Sequence, residues 1–231
     1  MKKQGKFDEK MAAKYIYDAA CAVAYLHTRN PPIIHRDIKP ENLLVCNDIL
    51  KMADFGWSNI KDTNRQTYCG TPDYLAPEMI DGSGHNEKLD VWSLGVLTYE
   101  LLTGHAPFTP KNTKDRREKM RKLEKNIMEG HFTIPSSVPE LPAKLIKRIL
   151  QYNANHRPSA IEIMQDEWFV KWGFHKPIQV VQRVIPNNRP NSGRAYNDDI
   201  QDSRRNMSAN RREESPINMP GSFDKPRQLA P

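Results

Sequence analysis

Asp37, Lys39, Asn42 and Asp54 bring two carboxylates, an ammonium and a carboxamide into eighteen residues of sequence. They stand in two motifs, His35-Arg36-Asp37-Ile38-Lys39-Pro40-Glu41-Asn42 and Asp54-Phe55-Gly56. These residue types suit transfer of a phosphoryl group from a nucleoside triphosphate, where positioning and charge stabilisation supply most of the rate. A carboxylate placed like Asp37 can orient an acceptor hydroxyl and take up its proton. Asn42 and Asp54 are hard oxygen ligands of the kind Mg²⁺ takes when it bridges phosphates. Lys39, two positions past the base, can reach the transferring group as a point charge. An eight-residue match followed at short range by a second part of the same machine is far more specific than either motif alone.

Other charged residues fall around this set. Arg36 adjoins the base, and its guanidinium can hold a phosphate bidentately. The segment between Asp54 and Glu78 contains Arg65-Gln66-Thr67-Tyr68-Cys69-Gly70-Thr71. Phosphate on Thr67 would give Arg36 a doubly charged partner and order that segment. Ala76-Pro77-Glu78 closes it, and Glu78 has a candidate partner in Arg157, within His156-Arg157-Pro158. That pair is expected to be structural. Asp90 lies in an otherwise apolar run, where a charge cannot be buried without partners. Backbone N–H groups of the loop around Asp37 are the expected partners, which makes Asp90 scaffolding for the base.

The elements that must hold these groups are mainly helical. A helix is expected over 8–28, with Asp8 as N-cap and Ala12, Tyr15, Ile16, Ala19, Val23 and Leu26 at helical spacing. Asn30-Pro31-Pro32 stops it. Leu43–Val45 and Leu50–Ala53 flank Asn47-Asp48 and read as a small β-hairpin. Lys88 to Thr103 form a helix apolar around most of its circumference, which belongs in the centre of a domain, with Gly104 at its C′ position. A basic helix of about 112–129 ends at Gly130. A further helix is opened by Pro142, and a last one lies near 159–169, where Ser159 and Glu162 have capping-box spacing. Beyond Gly173 the pattern dissolves into Pro, Asn, Arg and Ser, a composition that cannot offset its ordering entropy. The expected organisation is an ordered domain over 1–172 and a disordered basic tail over 173–231.

Composition narrows the class. The 231 residues are 38% hydrophobic and 27% charged, in the range of soluble proteins. No stretch approaches the ~18 consecutive apolar residues of a membrane span, so no membrane role is expected. Three cysteines without metal-ligand spacing, behind an N-terminus with no apolar signal segment, point to free thiols in a reducing compartment. Of the +7 net charge, much sits from Lys171 onward, with eleven Lys and Arg against six Asp and Glu. A solvated tail is the favoured reading. Nothing in the basic segments has the zinc spacing or aromatic interleaving of nucleic-acid recognition, so no direct nucleic-acid binding is expected.

From about Phe7 to Trp168 the chain resembles the eukaryotic protein kinases. Lys39-Pro40-Glu41-Asn42 and Gly70-Thr71 look like the serine/threonine branch. Asp54-Phe55-Gly56-Trp57-Ser58, and the run from Gln66 through Thr67-Tyr68-Cys69-Gly70-Thr71-Pro72 to Glu78, look most like the Aurora kinases. Trp57 is the most discriminating residue; the cyclic-AMP-dependent type is the runner-up. The resemblance implies the C-terminal lobe of the protein-kinase-like fold, mainly α with one small hairpin. It implies ATP and Mg²⁺ as cofactors, with Glu41, Asn42 and Asp54 on the nucleotide side and Thr71 bonded to the base and lysine. It also implies that Glu41 and Glu100 contact an arginine ahead of the target Ser or Thr, that regulatory proteins are partners, and a place in cytoplasm or nucleus, at spindle, centrosome or chromosome. Two departures stand out. No glycine-rich loop or nucleotide lysine occurs in the 34 residues before His35, so the chain is expected to be a fragment without the small lobe and weak in ATP binding by itself. Thr109–Lys125 is longer and more basic than usual. A catalytically inactive binding module, or decoy, is the alternative.

Overall fold

The computed structural model describes residues 5–54, 59–60, 72–111, 113, 115–174 and 227–228. All of them belong to one unit, Met1–Gln179 with Pro226–Pro231, while a second unit, Val180–Lys225, lies outside the described residues. Helix α1 (Glu9–His27) starts where Asp8 accepts a hydrogen bond from the Met11 N–H at 2.9 Å. This satisfies one of the donors that every helix start leaves open. Ala12, Ile16, Ala19, Ala20 and Val23 are buried, and the small side chains let α3, α6 and β3 pack closely on α1.

Strand β1 (Ile33–Ile34) enters the loop of His35 and pairs antiparallel with β4 (Asn59–Ile60). Strands β2 (Leu43–Cys46) and β3 (Ile49–Met52) form the expected hairpin, with Leu43 opposite Met52 and Cys46 opposite Ile49. The two turn residues both have positive φ, 50° at Asn47 and 58° at Asp48. That is the backbone of a two-residue hairpin turn whose twist matches its strands, and Asn and Asp tolerate it best after Gly. The segment expected to be disordered contributes one element, β5 (Arg227–Gln228), which lies antiparallel to β2. Two polar residues in a charged tail carry no strand signal; the unpaired edge of β2 supplies the partner.

After α2 (Pro77–Ile80), helix α3 (Lys88–Thr103) runs through the core with Leu89 to Tyr99 all buried. It ends at Gly104 with φ 84°, in the left-handed region, and the Gly104 N–H closes onto Glu100 O at 2.7 Å. A Cβ there would also run into the Gly5 carbonyl. Trp92 stacks on Phe108 with ring centroids 5.4 Å apart, and Phe108 meets Phe132 edge-on.

The remaining helices correct the expected boundaries. Helix α4 (Arg116–Met128) begins later than 112, because Asp115 caps it by accepting from the Glu118 N–H at 2.7 Å. Helix α5 (Glu140–Ile149) opens at Glu140, with Pro139 as N-cap and Pro142 inside the first turn. A missing N–H costs nothing there, since first-turn N–H groups have no partner in the helix. The last helix is two: α6 (Ala160–Met164), started by the Ser159–Glu162 capping box, and α7 (Glu167–Lys171), restarted by Asp166 accepting from Trp168 N–H. The break turns Trp168 and Phe169 wholly into the core. No described helix is long and apolar enough to cross a membrane.

Gly95, midway along α3, is where α5 comes closest. A Cβ at this position would lie 2.5 Å from Ile149 Cγ2 and 2.8 Å from Leu150 Cδ2. Gly95→Val is therefore expected to lower stability by about 1–3 kcal/mol through overpacking, despite removing a helical glycine. Urea unfolding checks this, and an unchanged midpoint would contradict the close packing.

Candidate active site

The loop after β1 is positioned from outside itself. Ile34 and Ile38 are buried and pin its ends to the core. Between them the His35 and Arg36 N–H groups both donate to Asp90, to Oδ2 and Oδ1 respectively, each at 2.8 Å. Arg36 has φ 68°, a conformation that costs a non-glycine residue roughly 1–2 kcal/mol. At this turn two successive N–H groups meet one anion, which is how a backbone nest holds negative charge. His27, at the end of α1, donates from Nε2 to the same Asp90 Oδ2 at 2.8 Å. Asp90 is 0% exposed, and three donors from two other elements replace its lost hydration.

Asp37, Lys39 and Asn42 come together on this loop. Lys39 Nζ lies 2.8 Å from Asp37 Oδ1. Asn42 Nδ2 donates to Asp37 Oδ2 at 2.8 Å and to the Asp37 carbonyl at 2.7 Å. Both carboxylate oxygens are thus held, in a residue only 8% exposed. Asn42 spends its Nδ2 on Asp37, so its Oδ1 is the atom left for a cation. The Ala53 N–H donates to the Asn42 carbonyl at 2.9 Å, and the Ala53 carbonyl accepts from His35 Nε2 at 3.2 Å. Ala53 fixes the chain just before Asp54, which is exposed and has φ 62°. One carboxylate and one amide oxygen are a donor set that fits Mg²⁺, which takes one or two protein oxygens and completes its shell with water and phosphate.

Arg36 Nε is buried with no hydrogen-bond partner among the described residues. Beside it, burial and then the Arg36 charge push the His85 imidazole below its ordinary value, so His85 offers no second cation there. Thr67 and Thr71, with Arg65 and Phe55-Gly56-Trp57-Ser58, lie outside the described residues.

Glu78 and Arg157 meet although 79 positions separate them, with Nη1 2.7 Å from Oε1 and Nη2 2.8 Å from Oε2. The Arg157 side chain also donates to the carbonyls of Lys88, Gln151 and Tyr152 and lies 4.8 Å from the Trp92 ring centroid. Every donor of a fully buried guanidinium is thereby used. Glu100 accepts from the Tyr74 hydroxyl at 2.7 Å, whereas Glu41 is exposed. Burial holds the Glu100 carboxyl above its ordinary value; the Tyr74 bond opposes this, and the charges of Glu41 and Asp73 reinforce it. Cys21 and Cys46 are free thiols, and burial pushes Cys21 up to about 11, which favours its protonated form.

His27, Trp92 and Lys88 were not legible as site residues. Each acts on a partner far away in sequence, and no local spacing marks it.

Residues 1–169 match the protein kinase domain family. The chain belongs to that family. It is 44% identical over 174 residues to an Aurora kinase of Schizosaccharomyces pombe, covering 74% of this chain and 47% of that protein. It is 46% identical over 168 residues to an Aurora kinase of Patiria pectinifera, covering 72% and 39%. With Aurora kinase A-B of Xenopus laevis the identity is 43% over 173 residues, covering 74% and 40%. The chain thus spans less than half the length of these relatives. Asp37, Asn42 and the other motif residues lie within the part matched to the kinase domain.

In this kinase domain the Glu78–Arg157 pair yields a stability prediction. Arg157→Met is expected to cost about 3–5 kcal/mol, because it strands the Glu78 carboxylate in the interior. Adding Glu78→Gln should recover a large part of that loss. A double-mutant cycle in urea measures the coupling, and additive losses would show that the pair does not act as a unit.

Proposed function

We propose that this is the catalytic lobe of an Aurora-type serine/threonine kinase, moving the terminal phosphoryl group of ATP to Ser or Thr of basophilic protein substrates. The observation that carries this reading is the clamped Asp37 carboxylate, held between Lys39 and Asn42 on a loop tied to Asp90. Asp37 is the base: it orients the acceptor hydroxyl and takes its proton as the oxygen bonds to phosphorus and ADP leaves. Asn42 and Asp54 would hold Mg²⁺, which would draw charge from the phosphates. Lys39 shifts from Asp37 toward the transferring group and steadies its negative charge. The resemblance to the serine/threonine branch gives Thr71, outside the described residues, the role of aligning the base and lysine on the acceptor side.

Activation works through Arg36. Its buried Nε, unpartnered among the described residues, and its strained backbone support a place for an anion, and phosphorylated Thr67 is that anion. Glu41 and Glu100 attract an arginine ahead of the target hydroxyl. Arg65, two before Thr67, supplies that feature within the chain itself and supports phosphorylation of one molecule by another.

In the longest natural form of the protein, Asp37→Asn is expected to cut phosphate transfer by roughly 10²–10⁴-fold without unfolding it. Thr67→Ala should leave reduced activity. Transfer of labelled phosphate from ATP to an arginine-bearing peptide measures both, and a wild type without transfer would favour the non-catalytic binding lobe instead.

Glu100 gives a pH dependence. Its carboxyl is held above the ordinary 4.5, so it keeps its proton to a higher pH than a free glutamate. For folding, this group's contribution is complete at low pH and fades as pH rises and a charge must form in a partly buried place. For recognition the sign is opposite, because only the ionised form attracts arginine. The preference for arginine over alanine in a peptide is expected at neutral pH and to fade on acidification sooner than for an ordinary glutamate. The ratio of kcat/KM values across mildly acid pH reads this, and a flat ratio would remove Glu100 from recognition.

A further inference from the structure

We propose that the outer face of α4 is a docking surface for an acidic segment of a partner protein, separate from the arginine-recognising side of the cleft. Its inner face is ordinary: Leu123 and Ile127 are buried, and Met120 packs on the core. Asn126 Nδ2 donates to the Phe108 carbonyl at 3.0 Å, fixing the rotation of the helix. The opposite face presents Arg117, Arg121 and Lys125, all exposed and four residues apart, so they stack in one row over two turns. Like charges at this spacing repel and destabilise a helix.

Nearby carboxylates do not neutralise the row. Glu118 pairs with Lys122 at 2.6 Å, and Lys125 only approaches Glu129, at 3.8 Å. Arg117 and Arg121 make no ion pair with any described residue. Across Lys111–Lys125 eight Lys and Arg stand against three Asp and Glu. Two guanidiniums without carboxylates, one helical turn apart, suit bidentate capture of side-chain carboxylates.

Location gives the face its use. Helix α4 packs on α2 and on the Pro72–Tyr74 turn, and Thr109, just before it, donates to Asp73 of that turn at 2.7 Å. The turn also carries Tyr74, the partner of Glu100. A partner that places arginine near Glu100 meets negative charge there and positive charge on α4. An acidic segment beyond the arginine is therefore favoured on α4 and repelled by the cleft, which sets the direction of the bound chain.

Binding to this face needs no phosphoryl transfer, so it is measured without nucleotide and stands or falls apart from the catalytic reading. Fluorescence anisotropy on the full chain compares a labelled glutamate-rich peptide, a glutamine peptide of equal length and a single-stranded oligonucleotide of equal charge. The glutamate peptide is expected to bind, more weakly as salt rises, and R117E/R121E to lose about tenfold or more of that affinity while R204E/R205E in the basic tail does not. R117Q/R121Q, which removes charge without reversing it, should fall between, with circular dichroism verifying the fold of each variant. Equal binding by wild type and R117E/R121E, a loss confined to the tail variant, or tighter capture of the oligonucleotide would each overturn the proposal.

Discussion

The Asp90 carboxylate sits at 0% exposure inside an apolar helix and accepts from two consecutive backbone N–H groups and one imidazole. A charge in that position is tolerable only with its donors in place, so α3, the end of α1 and the loop of Asp37 must take up one mutual arrangement. The left-handed backbone of Arg36 lies beside these two bonds, where the chain turns away from Asp90 toward Asp37. Lys39 and Asn42 close on Asp37 within the loop so anchored.

A second buried charge does similar work on the other side of α3. Arg157 is enclosed by Glu78, three carbonyls and the face of Trp92, whose own Nε1–H donates to Leu75 O at 2.9 Å. Through these bonds the segment ending in Ala76-Pro77-Glu78 is tied to the same helix that carries Asp90. Asp90, Trp92 and the Lys88 carbonyl all lie on α3, so one helix holds both the loop of Asp37 and, through Arg157, the segment that ends at Glu78. Gly95, a few residues further along that helix, lets α5 press against it.

Surface charge divides by sign around this core. Burial raises the Glu100 carboxyl and the charges of Glu41 and Asp73 reinforce this, whereas α4 exposes a row of cations. Opposite fields on neighbouring elements orient a bound chain more than they tighten it.

The sequence alone determined the chemical groups, the first helix with its Asp8 cap, the hairpin at Asn47-Asp48, and α3 with its end at Gly104, because caps, turns and periodicity act within a few residues. The mainly helical kinase lobe was legible for the same reason, helped by motifs long enough to be specific. Pro142 and the 159–169 stretch misled, since a proline fits several first-turn positions and a helix break is decided by which aromatic side chains the core accepts. Tertiary structure alone decided that His27 shares Asp90, that Trp92 covers Arg157 and that β5 lies along β2. Those contacts join residues dozens of positions apart, and only the packing of the whole lobe brings such groups within hydrogen-bonding distance.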